Sequence, residues 1–229
     1  MEQELAAAQT LRYAEELRDL WSEERAQRSR AEDALFELEQ TYAATVRALA
    51  TALELRDYGT GNHAERVTRL ALRLAREAAP GLIDDPELEY GFLLHDVGKI
   101  GIPDAILLKP GPLTRDERAE MEQHPYLGER IVARIPGLRG VSRQVIASHH
   151  ERWDGTGYPR GQAGTEIPHA ARIFALADAF DAMTNDRPYR AALPAPEALR
   201  RIRASAGTQF DPELAAIFVE LAADAEEAA

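Results

Sequence analysis

The chain has 229 residues, a formal net charge of −12 and 45% hydrophobic residues, enough to bury one sizeable core. It contains no cysteine, which excludes disulfides, thiolate metal sites, iron–sulfur clusters and a cysteine nucleophile. The acidic balance argues against a nucleic-acid polymer or an anionic membrane as partner, but a locally cationic pocket can still take a small anion.

Residues 1–56 hold neither glycine nor proline and are dense in Ala, Glu, Leu and Arg, which predicts one long helix or two in series. Tyr13, Leu17 and Leu20 begin an apolar seam at 3–4 spacing. Residues 21–34 are mostly polar, and the seam resumes in a shifted register at Leu35, Leu38, Tyr42, Thr45, Leu49 and Ala52. A lone exposed helix of this length is marginal, so a partner is expected: a parallel dimeric coiled coil, or a fold-back onto the chain's own domain. The N-terminus has no signal-peptide pattern, and no apolar run approaches the roughly 18–20 residues of a membrane span. The expectation is a cytoplasmic protein without membrane insertion.

From Arg56 onward short amphipathic segments alternate with Gly and Pro. Helices are predicted over 63–79, 86–97, from the Thr114-x-x-Glu117 capping box to His124, and over 125–135, 141–150, 168–183 and 196–206. Asp211-Pro212-Glu213 reads as an N-cap followed by Pro at N1, opening a last helix. Residues 151–166, with four glycines and a proline, read as an ordered loop. No stretch alternates with period two, so the domain is predicted to be all-α. The division expected is 1–55 for the N-terminal helical segment and 56–225 for the domain.

Candidate chemistry concentrates in this second part. Five of the six histidines lie between His63 and His150. Without cysteine, any metal must be held by imidazole and carboxylate. The clusters are His95-Asp96-Val97-Gly98-Lys99, His149-His150-Glu151 and Asp178-Ala179-Phe180-Asp181. Asp96 and Asp178 follow or interrupt apolar runs, where an unpaired carboxylate is costly. A buried Arg partner or a helix cap would satisfy them, as would a metal. Adjacent pairs such as His149-His150 can serve two neighbouring metals, and a carboxylate can bridge them.

These motifs carry a resemblance. The segments HDVGKIGIPDAILLKPGPLT, MEQHP, HHERWDGTGYPRG, IPHAARIFALADAFDAMTNDRPYR and GTQFDPEL occur here in that order. With His63 ahead of them, they resemble the HD superfamily of metal-dependent phosphohydrolases and, more fully, its HD-GYP subfamily, the cyclic di-GMP phosphodiesterases. The resemblance runs from about Arg56 to the last helix. It implies an HD-domain helical bundle with the additional HD-GYP helices, preceded by the long N-terminal coiled-coil helix. It also implies two divalent metals, iron or manganese foremost and Zn, Co or Ni as alternatives. One would be held by His63, His95, Asp96 and Asp178. The other would be held by His124, His149 and His150, with Asp96 bridging. Five neutral imidazoles, two carboxylates and two divalent ions sum to a charge of about +2, suited to a phosphodiester.

The implied reaction is metal-assisted hydrolysis of cyclic di-GMP to linear pGpG, with onward cleavage to GMP slow. Lys99 would neutralise a phosphate oxygen, and Asp181 would orient the water or a substrate group. Arg187 and Arg190 would bind guanine and phosphate, the bland alternative being a salt bridge that pins their loop. Asp154–Pro159 reads as a structural turn beside the metals, and the resemblance adds a contact with GGDEF-domain partners there. His169 matches no ligand position. One departure is Gly59, four residues before His63, where family members often carry Tyr or Glu. Glycine offers no side-chain ligand, so two metals are expected and not three. The alternatives are a catalytically weak dinucleotide-binding or protein-interaction module, and a phosphodiesterase for another cyclic dinucleotide such as cyclic GMP-AMP.

Overall fold

The computed structural model describes residues 1–57, 62–186 and 191–227. Among the described residues there is no sheet, only two isolated bridges, Asp154 with Ala163 and Ala206 with Phe210. The all-α expectation therefore holds.

Helix α1 runs without a break over Glu2–Asp57, as the absence of Gly and Pro predicts. The chain divides into two compact units, 1–45 and 46–229. In the first, Tyr13, Leu17, Leu20, Trp21, Leu35, Phe36 and Leu38 are all exposed. In the second, Val46 and Ala50 are buried, so the last turns of α1 belong to the unit that carries the core.

That core is built around α8, His169–Thr184. Ala170, Ala171, Ile173, Phe174, Leu176 and Ala177 of this helix are buried nearly all round, which marks it as the central helix. Against it pack α2 (His63–Ala78), α7 (Val141–Ser148) and α9 (Ala195–Ala204). Helix α3 (Pro86–Leu93) lies on α2 and α7, and α10 (Pro212–Glu227) lies on α2 and α9. Two short helices follow the first ligand loop, α4 (Asp104–Leu107) and α5 (Arg115–Met121). The predicted capping box opens α5 with both reciprocal bonds, and Asp211 caps α10 by accepting from the Glu213 and Leu214 amides.

Several helices end earlier than the periodicity predicts, among them α5 at Met121 and α6 (His124–Val132) at Val132, and two of these ends lie at the candidate site. The helix expected over 86–97 stops at Leu93, and the one expected over 141–150 stops at Ser148. In a continued helix the Asp96 amide would bond the Phe92 carbonyl, and the His150 amide the Ile146 carbonyl. Instead the imidazole Nδ1 of His95 takes Phe92 O at 2.9 Å, and that of His149 takes Ile146 O at 3.0 Å. Each of these histidines uses the carbonyl of its own helix end, and the chain turns away. After His95 it enters a 3₁₀ turn, Val97–Gly101.

This turn packs directly on α6, His124–Val132. A Cβ on Gly98 would overlap the His124 carbonyl and the Gly128 amide, both rigid backbone. Glycine is required there because the turn after His95 and the start of α6 meet backbone to backbone.

Candidate metal centre

All seven residues proposed as ligands converge on one region. The ligand atoms of Asp96, His124, His149 and His150 lie within 4.8 Å of one another, and those of His63, His95 and Asp178 form a second such group. Asp96 stands between them. Its Oδ1 faces His124 Nε2 at 3.2 Å and His149 Nε2 at 3.8 Å, and its Oδ2 faces His95 Nε2 at 3.3 Å. His63 Nε2 lies 3.4 Å from Asp178 Oδ1.

The histidines are oriented by one repeated device. His95, His124 and His149 each place Nδ1 on the carbonyl three residues back, at 2.8–3.0 Å. A carbonyl only accepts, so Nδ1 carries the proton and Nε2 presents a lone pair to the centre. For His124 the carbonyl is that of Met121, which would otherwise seek the amide of residue 125; Pro125 has none to give. His63 is held differently. Its Nδ1–H donates to Asp181 Oδ2 at 2.7 Å, and Asp181 is fixed in turn by Arg66 Nε at 2.7 Å and Asn185 Nδ2 at 3.0 Å. A carboxylate behind a histidine in this way fixes the ring and raises its ligand basicity.

The arrangement fits metal ions. His124 Nε2 and His149 Nε2 are 3.2 Å apart with both Nδ1 atoms already committed to carbonyls, so two acceptor nitrogens face each other. Only a proton or a cation relieves that contact. Protonation is disfavoured at His149 and His150. Burial, reinforced by the neighbouring imidazoles, holds both below the ordinary histidine range, and His150 well below it. Burial opposes charge on His95 too, but Asp96 outweighs it and the pKa is raised. Asp96 itself is held well below the carboxylate range: burial works against this, and Lys99 and His95 overcome it. The donor set of imidazole and carboxylate suits a borderline or hard divalent ion.

Lys99 sits on the 3₁₀ turn, with Nζ 2.7 Å from Asp96 Oδ2 and 2.6 Å from Asp57 Oδ2. Burial disfavours its charge, but these two carboxylates reverse the effect and raise its pKa. Asp57, the last residue of α1, is a partner that sequence patterns could not reveal. Its neighbour Arg56 donates to the Lys99 and Ile102 carbonyls at 2.9 Å each and to Asp104 Oδ1 at 2.7 Å, tying the end of α1 to the ligand loop. Glu54 accepts from the Ala64 amide beside His63. Arg66 was equally hidden, although its place three residues after His63 on one helix was a usable signal.

The centre opens into a cavity of about 440 Å³, bounded on one side by Ala50, Leu53, Glu54 and Asp57 of α1. Among the described lining residues, six carboxylates (Glu54, Asp57, Asp96, Asp178, Asp181, Asp186) face two cations, Arg66 and Lys99. Two divalent ions bring that lining to about neutrality. The value of about +2 counts the seven expected ligands alone; Glu54, Asp57, Asp181 and Asp186 of the lining add four carboxylates to it, and Arg66 and Lys99 two cations. Arg187 and Arg190, expected to bind substrate, and Gly59, where no third-metal ligand is expected, lie outside the described residues. His169 is the first residue of α8, half-buried and away from the ligand groups.

The Gly157-Tyr158-Pro159 turn sits directly on His150. Tyr158 stacks on His150 with centroids 4.7 Å apart, and its amide bonds the His150 carbonyl at 3.2 Å. A Cβ on Gly157 would strike the backbone of His150, Glu151 and Arg152. Glu151 anchors the loop further on, accepting from the Arg160 and Gln162 amides at 2.8 and 3.0 Å.

Comparison with known proteins agrees with this architecture. The family model described as HD domain matches residues 34–214. A cyclic di-GMP phosphodiesterase of Thermotoga maritima is 42% identical over 192 residues, covering 83% of this chain and 52% of that protein. A 3'3'-cGAMP-specific phosphodiesterase 2 of Vibrio cholerae is 37% identical over 187 residues, covering 81% of this chain and 36% of its own. The chain spans about half the length, or less, of these curated relatives. In fold it is similar to the crystal structure of a cyclic GMP-AMP-specific phosphodiesterase of V. cholerae, with a TM-score of 0.59 and 23% identity over 78% of this chain and 48% of that one. The chain belongs to the HD-domain family, and its His95–Lys99, His149–Glu151 and Gly157–Pro159 motifs put it in the HD-GYP branch.

Proposed function

We propose that the chain is a metal-dependent cyclic-dinucleotide phosphodiesterase that hydrolyses cyclic di-GMP to linear pGpG. The observation that carries this reading is Asp96, whose two oxygens face two histidine groups on opposite sides. His63, His95, Asp96 and Asp178 would hold one ion, and Asp96, His124, His149 and His150 the other. Iron or manganese fits this donor set, as do Zn, Co and Ni. When bound, such ions supply a nucleophile at neutral pH and polarise a phosphoryl oxygen.

The chain's own residues do the rest. Lys99 brings a fixed ammonium to the edge of the centre, where it can neutralise a non-bridging phosphate oxygen. Asp181 acts through His63, holding the imidazole in the tautomer that ligates. Arg187 and Arg190 follow the cavity residue Asp186 in sequence and bind guanine or phosphate on this reading. With glycine at position 59, two ions suffice and pGpG is the principal product. Residues 56–225 form the hydrolase domain and 1–55 the helical segment. That segment dimerises through the exposed seam around Leu17, Leu20, Leu35 and Leu38, and the Gly157–Pro159 turn offers a face for a GGDEF-domain partner.

The relatives' names favour a second substrate, since some are called cyclic di-GMP and others 3'3'-cGAMP phosphodiesterases. One experiment separates the readings. Anaerobically purified, metal-analysed protein is incubated with each cyclic dinucleotide and the products are resolved by chromatography. Faster cleavage of cyclic di-GMP, lost in His95→Ala, supports the proposal. Faster cleavage of cyclic GMP-AMP supports the second reading, and tight binding without hydrolysis points to a binding module. A stable monomer at micromolar concentration overturns the dimer.

A further inference from the structure

A second cleft, of about 230 Å³, lies among α6, α7 and the loop after His150. Three arginines border it: Arg139, just before α7; Arg143, on the first turn of α7; and Arg160, in the loop. Among the described residues, the only acid in its lining is Glu129 of α6, which is buried. Glu129 Oε1 accepts from Arg143 Nε at 3.0 Å and Nη2 at 2.7 Å, and Oε2 accepts from Arg160 Nη2 at 2.6 Å. One buried carboxylate thus holds two guanidinium groups side by side, and both remain about half exposed to solvent, at 48% each.

The charge and donor inventory favour an anion. Three cations against one carboxylate leave a lining of two positive charges. A guanidinium has five N–H donors. The Glu129 bonds use two of those on Arg143 and one on Arg160, so most of their donors are left over. Arg139, which is exposed, takes no part in the Glu129 pairs. At about 30 Å³ per water, the volume holds roughly seven waters, ample for a tetrahedral oxyanion with part of its shell. Planar forks held in register by a buried acid suit bidentate recognition of phosphate oxygens.

We infer that this cleft is a binding site for a phosphate-type dianion, either inorganic phosphate or the phosphomonoester end of a nucleotide, separate from the metal centre. The position is informative. Ser148, in the wall, immediately precedes His149 and donates to Gln162 at 3.0 Å. Arg160 and Gln162 are both fastened through their amides to Glu151, the residue after His150. An anion here therefore bears on the segment that carries two of the metal ligands, without touching them.

Phosphate also binds metals, so the test uses the full chain with His95→Ala, which disables the centre, alongside the metal-loaded parent. Binding of inorganic phosphate and of GMP is measured by calorimetry at constant ionic strength. The expected result is phosphate binding that survives His95→Ala, weakens about tenfold or more in Arg139→Gln and Arg160→Gln, and holds or strengthens in Glu129→Gln, which removes the competing negative charge. Equal affinities for both probes identify free phosphate as the ligand, and tighter GMP binding identifies a nucleotide end. A purely structural arginine–glutamate cluster predicts that Glu129→Gln melts earlier and that no variant alters phosphate binding. That outcome, or no binding to His95→Ala at millimolar phosphate, overturns the inference.

Discussion

The Asp57–Lys99 pair makes the sharpest test of how the end of α1 supports the centre. Asp57 is nearly buried, with 7% of its side chain exposed, and meets the Lys99 ammonium at 2.6 Å. Asp57→Asn keeps the shape and deletes the charge. A charge-assisted hydrogen bond to a buried group contributes about 1.5–3 kcal/mol, so a loss of about 2 kcal/mol is expected. For a chain of this size that lowers the melting temperature by about 4–8 °C. A second effect follows from the geometry. Lys99 is shared between Asp57 and the proposed ligand Asp96, and removing one carboxylate shifts the ammonium's weight onto the other. It then competes with cations for Asp96 Oδ2, and metal affinity falls about 10–100-fold, the usual scale for losing a group that supports a ligand. Thermal melts of metal-free protein read the first effect, and chelator competition reads the second. A cycle with Lys99→Met should show a coupling of about 1 kcal/mol or more. Unchanged melting together with unchanged metal affinity would refute the reasoning.

Three other perturbations have equally definite outcomes. Metal-free protein should lose stability as pH falls below about 6.5. Burial lowers the pKa of His149 and His150 in the fold, so the unfolded chain takes up more of their protons, at up to about 1.4 kcal/mol per pH unit each. His95, whose pKa is raised, works in the opposite sense and offsets part of this loss; a flat melting profile between pH 7 and 5.5 contradicts the reasoning. Gly98→Ala should cost about 3 kcal/mol or more in urea denaturation, because the new methyl meets backbone on α6 and not a movable side chain. Asp181→Asn should leave helix content unchanged by circular dichroism but lower metal affinity about 10–100-fold, since it unfastens His63 and Arg66 together. Retention of full metal occupancy would show that Asp181 does not position the ligand.

Much of this protein is local and therefore readable from the chain. Helix α1 follows from an unbroken run without Gly or Pro, the caps at Thr114 and Asp211 from short polar signals, and the central helix α8 from apolar residues on every face. The candidate ligands were legible in two ways: the carboxylates Asp96 and Asp178 beside apolar runs and the adjacent His149-His150 pair pointed to a metal, and the resemblance to the HD-GYP motifs supplied the full set of seven. What only the tertiary structure decided is where the helices stop and what stands behind the ligands. Periodicity carried α3 and α7 past His95 and His149, because it cannot register an imidazole that takes the carbonyl a continuing helix would use. Asp57 and Lys99 lie forty-two residues apart and meet where the end of α1, fastened by Arg56, packs beside the turn after His95. The charge of the centre was likewise undecided by the ligands alone: folding brings Glu54, Asp57, Asp181 and Asp186 to the same cavity. Spacing in sequence fixes which residues share a turn. Which carboxylate reaches which cation across the core depends on how the helices pack.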